Sequence, residues 1–376
     1  MLSLVRAIVT AITRADAESV ELQAQVEGET NPRRAVAYTG LTGAVAVGDI
    51  LLLNTTATSL KLGTGGVDFV VRNESRAVPE TLGEPDGTEH IMKLRYTPMQ
   101  HAVRAVEMDP THRALWETAS TLLQTPVVVC ELHSQMALVA AGVKAARPDA
   151  RIAYVMTDEG ALPLAFSSLV RHLKDAGLLE ATLTAGQAFG GDYEAVTVPS
   201  ALLAARWIAR ADVIIVSQGP GNAGTGTRYG FGGLMQGIYL DIANRLWGTP
   251  IGVLRLSLAD RRDRHHGLSH HSVTALGLMA QSPALVAFPS IAEGVSSAEY
   301  HTLRNAVENS PLSPLHTIEE TEGTAGIALL SERGLRVTSM GRGPDADPLF
   351  FLAAAAAGTL AAQHIRSRTS LPPEVP

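Results

Sequence analysis

The chain has 376 residues, a formal net charge of −7, 46% hydrophobic and 18% charged residues. That composition supports a sizeable core and excludes extensive disorder, while the acidic balance argues against general nucleic-acid binding, which needs a basic face. The length suits two or three domains, and the single cysteine, Cys130, excludes an internal disulfide framework.

The N-terminal stretch MLSLVRAIVTAITRADAES has neither a long apolar core nor a small-residue cleavage site, so it reads as a first strand and not a signal peptide. Short runs follow (SVELQAQVEG, AVAYTGL, then GDILLLN and VDFVVRN), broken by Gly, Asn and Asp. Their spacing predicts a small β-rich domain over residues 1–80, a barrel or a sandwich. Residues 74–91 are polar with Pro and Gly and read as a linker, so 81–109 is a connecting segment.

From residue 110 the rhythm changes, and an α/β domain is expected over 110–370. TPVVVCE, RIAYVMT, DVIIVSQ, PIGVLRLS and ALVAFPS read as strands, with helical patterns between them. Near-continuous apolar strands alternating with helices imply a mostly parallel sheet flanked by helices. SAEYHTLRNAVENS reads as a helix and GLRVTSM as a further strand. The alanine-rich PLFFLAAAAAGTLAAQHI is too weakly apolar to span a membrane and reads as a buried helix, with Asp347 as N-cap and Pro348 in its first turn. A cytoplasmic protein without a membrane partner is expected.

Ligand sites of such sheets lie beyond the carboxyl ends of the strands, and unusual polar residues follow the strands here. After VVVC comes Glu131-Leu132-His133-Ser134-Gln135. His133 suits catalysis or ligand orientation and equally a plain helix-capping turn, and Ser134 suits a helix cap. After IAYVM comes Asp158, a candidate base, metal ligand or Asx-turn residue. In AGQAFGGDYEAV, Glu194 fits a plain turn before a strand and Asp192 is open to either role.

After VIIVSQ, Gly219, Gly221 and Gly224 fit G-x-G-x-x-G, with Gly226 next in the loop. No acidic residue ends a strand about 20 residues on, so a standard nicotinamide fold is not expected, whereas a backbone cradle for an anion is. Arg228 and Tyr229 close that loop. The stretch RRDRHHGLSHHS then gathers Arg261, Arg262, Arg264, His265, His266, His270 and His271. An anion site, a metal ion and a solvated loop are its three readings. Guanidinium stays protonated and raises the cost of a nearby cation, so the anion site ranks first. A metal, if held, would use His265, His266, His270 or His271 with Asp158, Asp260 or Asp263.

Taken together, IMKLRYTPMQ, ELHSQ, MTDEGALP, QGPGNAGTGTRYGFGG, DRHHGLSHHS and DPLFFLAAAAAG resemble a bacterial family catalogued as a domain of unknown function, number 3866. The resemblance covers essentially the whole chain. It implies a bacterial, soluble, integrated unit and brings no catalytic residues with it.

The leading expectation is an α/β hydrolase or transferase for a small anionic, phosphate-bearing metabolite. Gly219, Gly221, Gly224 and Gly226 would cradle the anion, with Arg228 adding a contact, and Arg262 and Arg264 would neutralise its charge. His266 or His270 would act as acid or base, while Asp158 and His133 orient the reacting group. A ligand-binding sensor whose β-rich domain meets a protein partner is the first alternative, and a metal-dependent hydrolase the second. The sequence names no cofactor. Its Ala- and Gly-rich helices permit close packing in a homodimer without requiring it.

Overall fold

The computed structural model describes residues 2–63, 65–76, 91–290 and 295–366. Residues 77–90, most of the expected linker, lie outside this range. The chain divides into two units, Met1–Glu89 with Tyr96–Met99 and His90–Arg95 with Gln100–Pro376.

The first unit is a closed five-stranded barrel. Its strands are β1 (Leu4–Ala15), β2 (Ser19–Val26), β3 (Arg33–Tyr38), β4 (Ile50–Asn54) and β5 (Asp68–Asn73), with one-turn helices α1 (Thr39–Thr42) and α2 (Thr56–Ser59). The order is β1-β2-β3-β5-β4, antiparallel except for the β3–β5 pair. Alternation along β1 sends Ala7 and Val9 inward and leaves Ile8 exposed. Register shifts between Val9 and Ala11 and between Ile12 and Arg14 let β1 bend around the barrel. Leu22, Leu51, Leu53 and Val70 fill the interior. A five-stranded mixed barrel is an architecture that by itself assigns no ligand.

The second unit begins with the antiparallel pair β6 (Ile91–Lys93) and β7 (His101–Val103) and the short α3 (Arg113–Thr118). Then follow β8 (Pro126–Val129), α4 (Gln135–Ala146), β9 (Ile152–Thr157), α5 (Ser168–Asp175), β10 (Ala181–Ala185), β11 (Tyr193–Ala195), α6 (Val198–Trp207), β12 (Val213–Gln218), α7 (Met235–Arg245) and β13 (Thr249–Gly252). A small hairpin, β14 (Leu256–Ser257) with β15 (Gly267–Leu268), leads into α8 (His270–Thr274). After it come β16 (Leu285–Pro289), α9 (Ser297–Glu308), β17 (Thr317–Thr321), α10 (Thr324–Glu332) and α11 (Pro348–Gln363). Eight strands form one all-parallel sheet in the order β11-β10-β9-β12-β8-β13-β16-β17.

The period of two sorts each central strand between two cores. Val128, Ile152, Tyr154, Met156, Val213 and Ile215 pack under α4 and α11 on one face. Val127, Val129, Ala153, Val155, Ile214 and Val216 pack under α6 and α7 on the other. Among the described residues, no helix is long and apolar enough to cross a membrane.

Three local expectations are corrected. GLRVTSM forms no strand of the sheet: the place beside β16 belongs to β17, and Ser339 pairs only with Arg342 in an isolated bridge. Asp347 stands at the N-cap of α11 without capping it, because its carboxylate accepts from Ser257 Oγ (2.8 Å) and Arg342 Nε (3.0 Å) instead. Ser134 stands at the N-cap of α4, yet its hydroxyl donates to Ser339 Oγ at 3.1 Å.

Candidate functional site

The chain leaving β8 passes through α4 to β9, on one side of the sheet, and the chain leaving the neighbouring β12 passes through α7 to β13, on the other. The loops after these two strands therefore part, and a crevice opens at their carboxyl ends. A cavity of about 700 Å3 occupies it. Its wall comes from the loops after β8 (Leu132–Ser134) and β12 (Pro220–Gly226), the start of α5, the β14–β15 hairpin and the segment Arg336–Met340.

Four arginines (255, 262, 264, 336) and four histidines (133, 172, 265, 271) line this cavity, and among the described residues no carboxylate lines it. The acids stand behind the cations. Fully buried Glu131 accepts, through Oε1, from Arg255 Nη1 (2.9 Å) and His271 Nδ1 (2.5 Å). Burial alone would raise its carboxyl. The bond from His271 and the charge of Arg255 outweigh that and hold it below its usual range. Asp260 receives Arg262 in a bidentate pair (2.9 and 2.7 Å) and Arg342 at 3.4 Å, and the Arg262 bonds depress its carboxyl strongly. Arg264 and Arg336 make no ion pair among the described residues and are exposed.

His133 is buried at the end of β8. Its Nδ1 lies 3.2 Å from the Gln218 carbonyl, which can only accept, so the proton sits on Nδ1. Nε2 is left to accept from Ser167 Oγ at 2.6 Å. Burial pushes this imidazole down to about 4. Ser167 also caps α5, accepting from Val170 N at 3.1 Å.

The hairpin explains the placement of the basic run. β14 and β15 clamp its ends, one 3-10 turn (Asp263–His265) folds its tip, and Ser269 caps α8 through the His271 amide. Arg262, Arg264, His265 and His271 thereby reach the cavity. His270, in the first turn of α8, lies beside them, and His266 is exposed and outside the lining. Phe231 stacks flat on His271 at 3.7 Å.

Of the glycines after β12, Gly221, Gly224 and Gly226 line the cavity, and Gly221 and Gly226 have positive φ. Gly219 does not line it. A side chain there would strike the Ala161 carbonyl at 2.1 Å, so its smallness serves the contact between the loops after β9 and β12. Arg228 is exposed and away from the lining. Asp158 is exposed and accepts from the Gln187 amide at 2.8 Å, which ties the loop after β9 to the loop after β10. Asp192 is likewise engaged by Lys174 and Thr182, and Glu194 by Thr184 and the Gly190 amide.

Sequence reasoning passed over Arg255, Ser167 and Arg336. Ser167 carried a helix-cap signal in FSSLV. Arg255 sat unmarked in an apolar run, and Arg336 in a segment read as a strand.

A family model described as a protein of unknown function (DUF3866) matches residues 34–358. No curated protein and no solved structure matches the chain.

Proposed function

The chain belongs to the DUF3866 family, whose description assigns no activity, and from the chemistry of the cavity we propose a hydrolase or transferase for a small anionic, phosphate-bearing metabolite. The observation that carries this reading is the wall of four arginines and four histidines, with no lining carboxylate among the described residues. Arg255 and Arg262 are engaged by Glu131 and Asp260. Arg264 and Arg336 hold the charge left for a ligand, and guanidinium matches phosphate in a bidentate way. Gly221, Gly224 and Gly226 let backbone approach the same anion. The volume suits a sugar phosphate or a nucleotide. His133, neutral with its Nε2 accepting from Ser167 Oγ at 2.6 Å, is the proton acceptor on this reading, reached through that hydroxyl.

A thermal-shift screen against inorganic phosphate, pyrophosphate, sugar phosphates and nucleotides tests it, since a ligand of the folded state raises the melting temperature. Phosphorylated compounds should shift it and their dephosphorylated analogues should not. Replacing Arg264 and Arg336 by Ala should weaken the best ligand roughly 10- to 100-fold, the worth of a charge-assisted bond. Equal shifts from the neutral analogues would sink the reading. A phosphate-release or phosphoryl-transfer assay on the best ligand then separates an enzyme from a sensor.

A further inference from the structure

We infer that His265, His270 and His271 form a three-imidazole site for a divalent transition metal, zinc by ligand class, in the wall of the cavity. One ring nitrogen from each lies within 4.8 Å of the other two. Ring centroids are 4.4 to 5.0 Å apart. The tautomers fit. His271 donates through Nδ1 to Glu131, leaving its Nε2 lone pair. Arg264 Nε can only donate and lies 3.4 Å from His265 Nε2, so that nitrogen is an acceptor and Nδ1–H points to Ser269 Oγ at 2.8 Å. His270 Nε2 is buried and has no hydrogen-bond partner among the described residues. A buried polar atom without a partner costs free energy that a bound ion recovers. A carboxylate behind a ligating histidine is the usual outer partner of such a site, and Glu131 stands in that place.

The surrounding arginines are the main objection. It weakens because Glu131 compensates Arg255 and Asp260 compensates Arg262. Arg264 remains, and its exposed side chain is free to swing off the long 3.4 Å contact. Three nitrogen ligands favour zinc, cobalt, nickel or copper over magnesium or calcium. His265 and His271 line the cavity, so a metal held by the three imidazoles would lie in its wall. The geometry of the site stands independently. Its role in polarising a phosphate oxygen rests on the reading of the cavity given above.

The test uses the full chain, stripped with a chelator and titrated with Zn2+, with metal content and competition against a coloured chelator as readouts. One equivalent is expected per chain, and Co2+ should give the visible absorption of a four-coordinate nitrogen site. His270→Gln and His271→Ala should each weaken zinc at least 100-fold, and Glu131→Gln roughly 10- to 100-fold. His266→Ala, outside the cluster, should bind as the parent does. Circular dichroism identifies any variant that fails to fold, and cobalt absorption by the parent needs no variant. No stoichiometric metal, or metal retained by folded His270→Gln and His271→Ala, overturns the inference. Inorganic phosphate and pyrophosphate are titrated separately into the stripped protein. Anion binding without zinc binding sinks the metal site and leaves the cavity reading standing, and zinc binding without any anion response does the reverse.

Discussion

At His133 the surroundings set the charge before any ligand arrives. An exposed imidazole titrates near 6.5, and burial pushes this one down to about 4, although the Gln218 carbonyl that accepts from its Nδ1–H works the other way. The folded state therefore binds fewer protons than the unfolded chain between these values. The stability this group contributes is fully present above about pH 6.5, falls as pH drops towards 4 and is lost below it, a change of about 3 kcal/mol at most. His133→Gln should flatten the decline by about that amount, as read from urea unfolding at pH 7, 6, 5 and 4. An unchanged slope would mean that His133 is not buried neutral. The residue was legible as special because it ends an apolar strand. Its partner Ser167 was not, since the pairing joins positions 34 apart through the sheet. Lys93 makes the same point. Nothing inside IMKLRYTPMQ singles it out, yet it is fully buried, donating to the carbonyls of Gly186 (3.0 Å), Ala188 (2.8 Å) and Ala195 (3.2 Å). Acceptors assembled from distant loops leave no mark next to the lysine.

At the scale of elements, the alanine run becomes intelligible. α11 and α4 touch backbone to backbone: a Cβ on Gly142 would lie 2.1 Å from the Ala355 carbonyl, and one on Gly358 would lie 2.1 Å from that of Val139. Neither neighbour is a side chain that can rotate away. Gly142→Ala and Gly358→Ala should each cost about 1–3 kcal/mol or more by overpacking, despite the better helix propensity of alanine. Gly343→Ala, with open space at its Cβ and no positive φ, should stay within about 0.5 kcal/mol. Equal denaturation midpoints for all three would refute the close crossing. Elements with one dominant signal were readable: β8, β9, β12, β13 and β16 are apolar runs, and α9 carries a capping box at Ser296 and Glu299. β17, TIEET, was missed because an edge strand need not be apolar. GLRVTSM was misread because its alternation serves the cavity wall. Gly219 and Gly221 share one motif and do different work, one packing loop on loop and the other facing the cavity, a division that spacing alone does not carry.

Over the whole molecule, net charge and local charge point in opposite directions. The chain is acidic by seven charges, and its cavity is cationic. Range decides which dominates. The acidic charge is spread over the surface and acts across a screening length of about 30 Å at 0.01 M salt, about 8 Å at 0.15 M and about 3 Å at 1 M. Arg264 and Arg336 act at contact distance, where an effective dielectric near 20 gives about 4 kcal/mol per charge pair before solvation costs. Raising salt from about 0.01 to 0.15 M removes the long-range repulsion first and weakens the local attraction less, so phosphate affinity should change little. From about 0.15 to 1 M the local attraction is screened as well, and affinity should fall roughly tenfold. Arg264→Ala should flatten that second limb while leaving the first nearly as it was. Isothermal titration of pyrophosphate across the salt series reads both limbs. A steep loss of affinity already below 0.15 M would show that a broad basic surface, and not this cavity, attracts the anion, and a salt response untouched by Arg264→Ala would remove that arginine from the site.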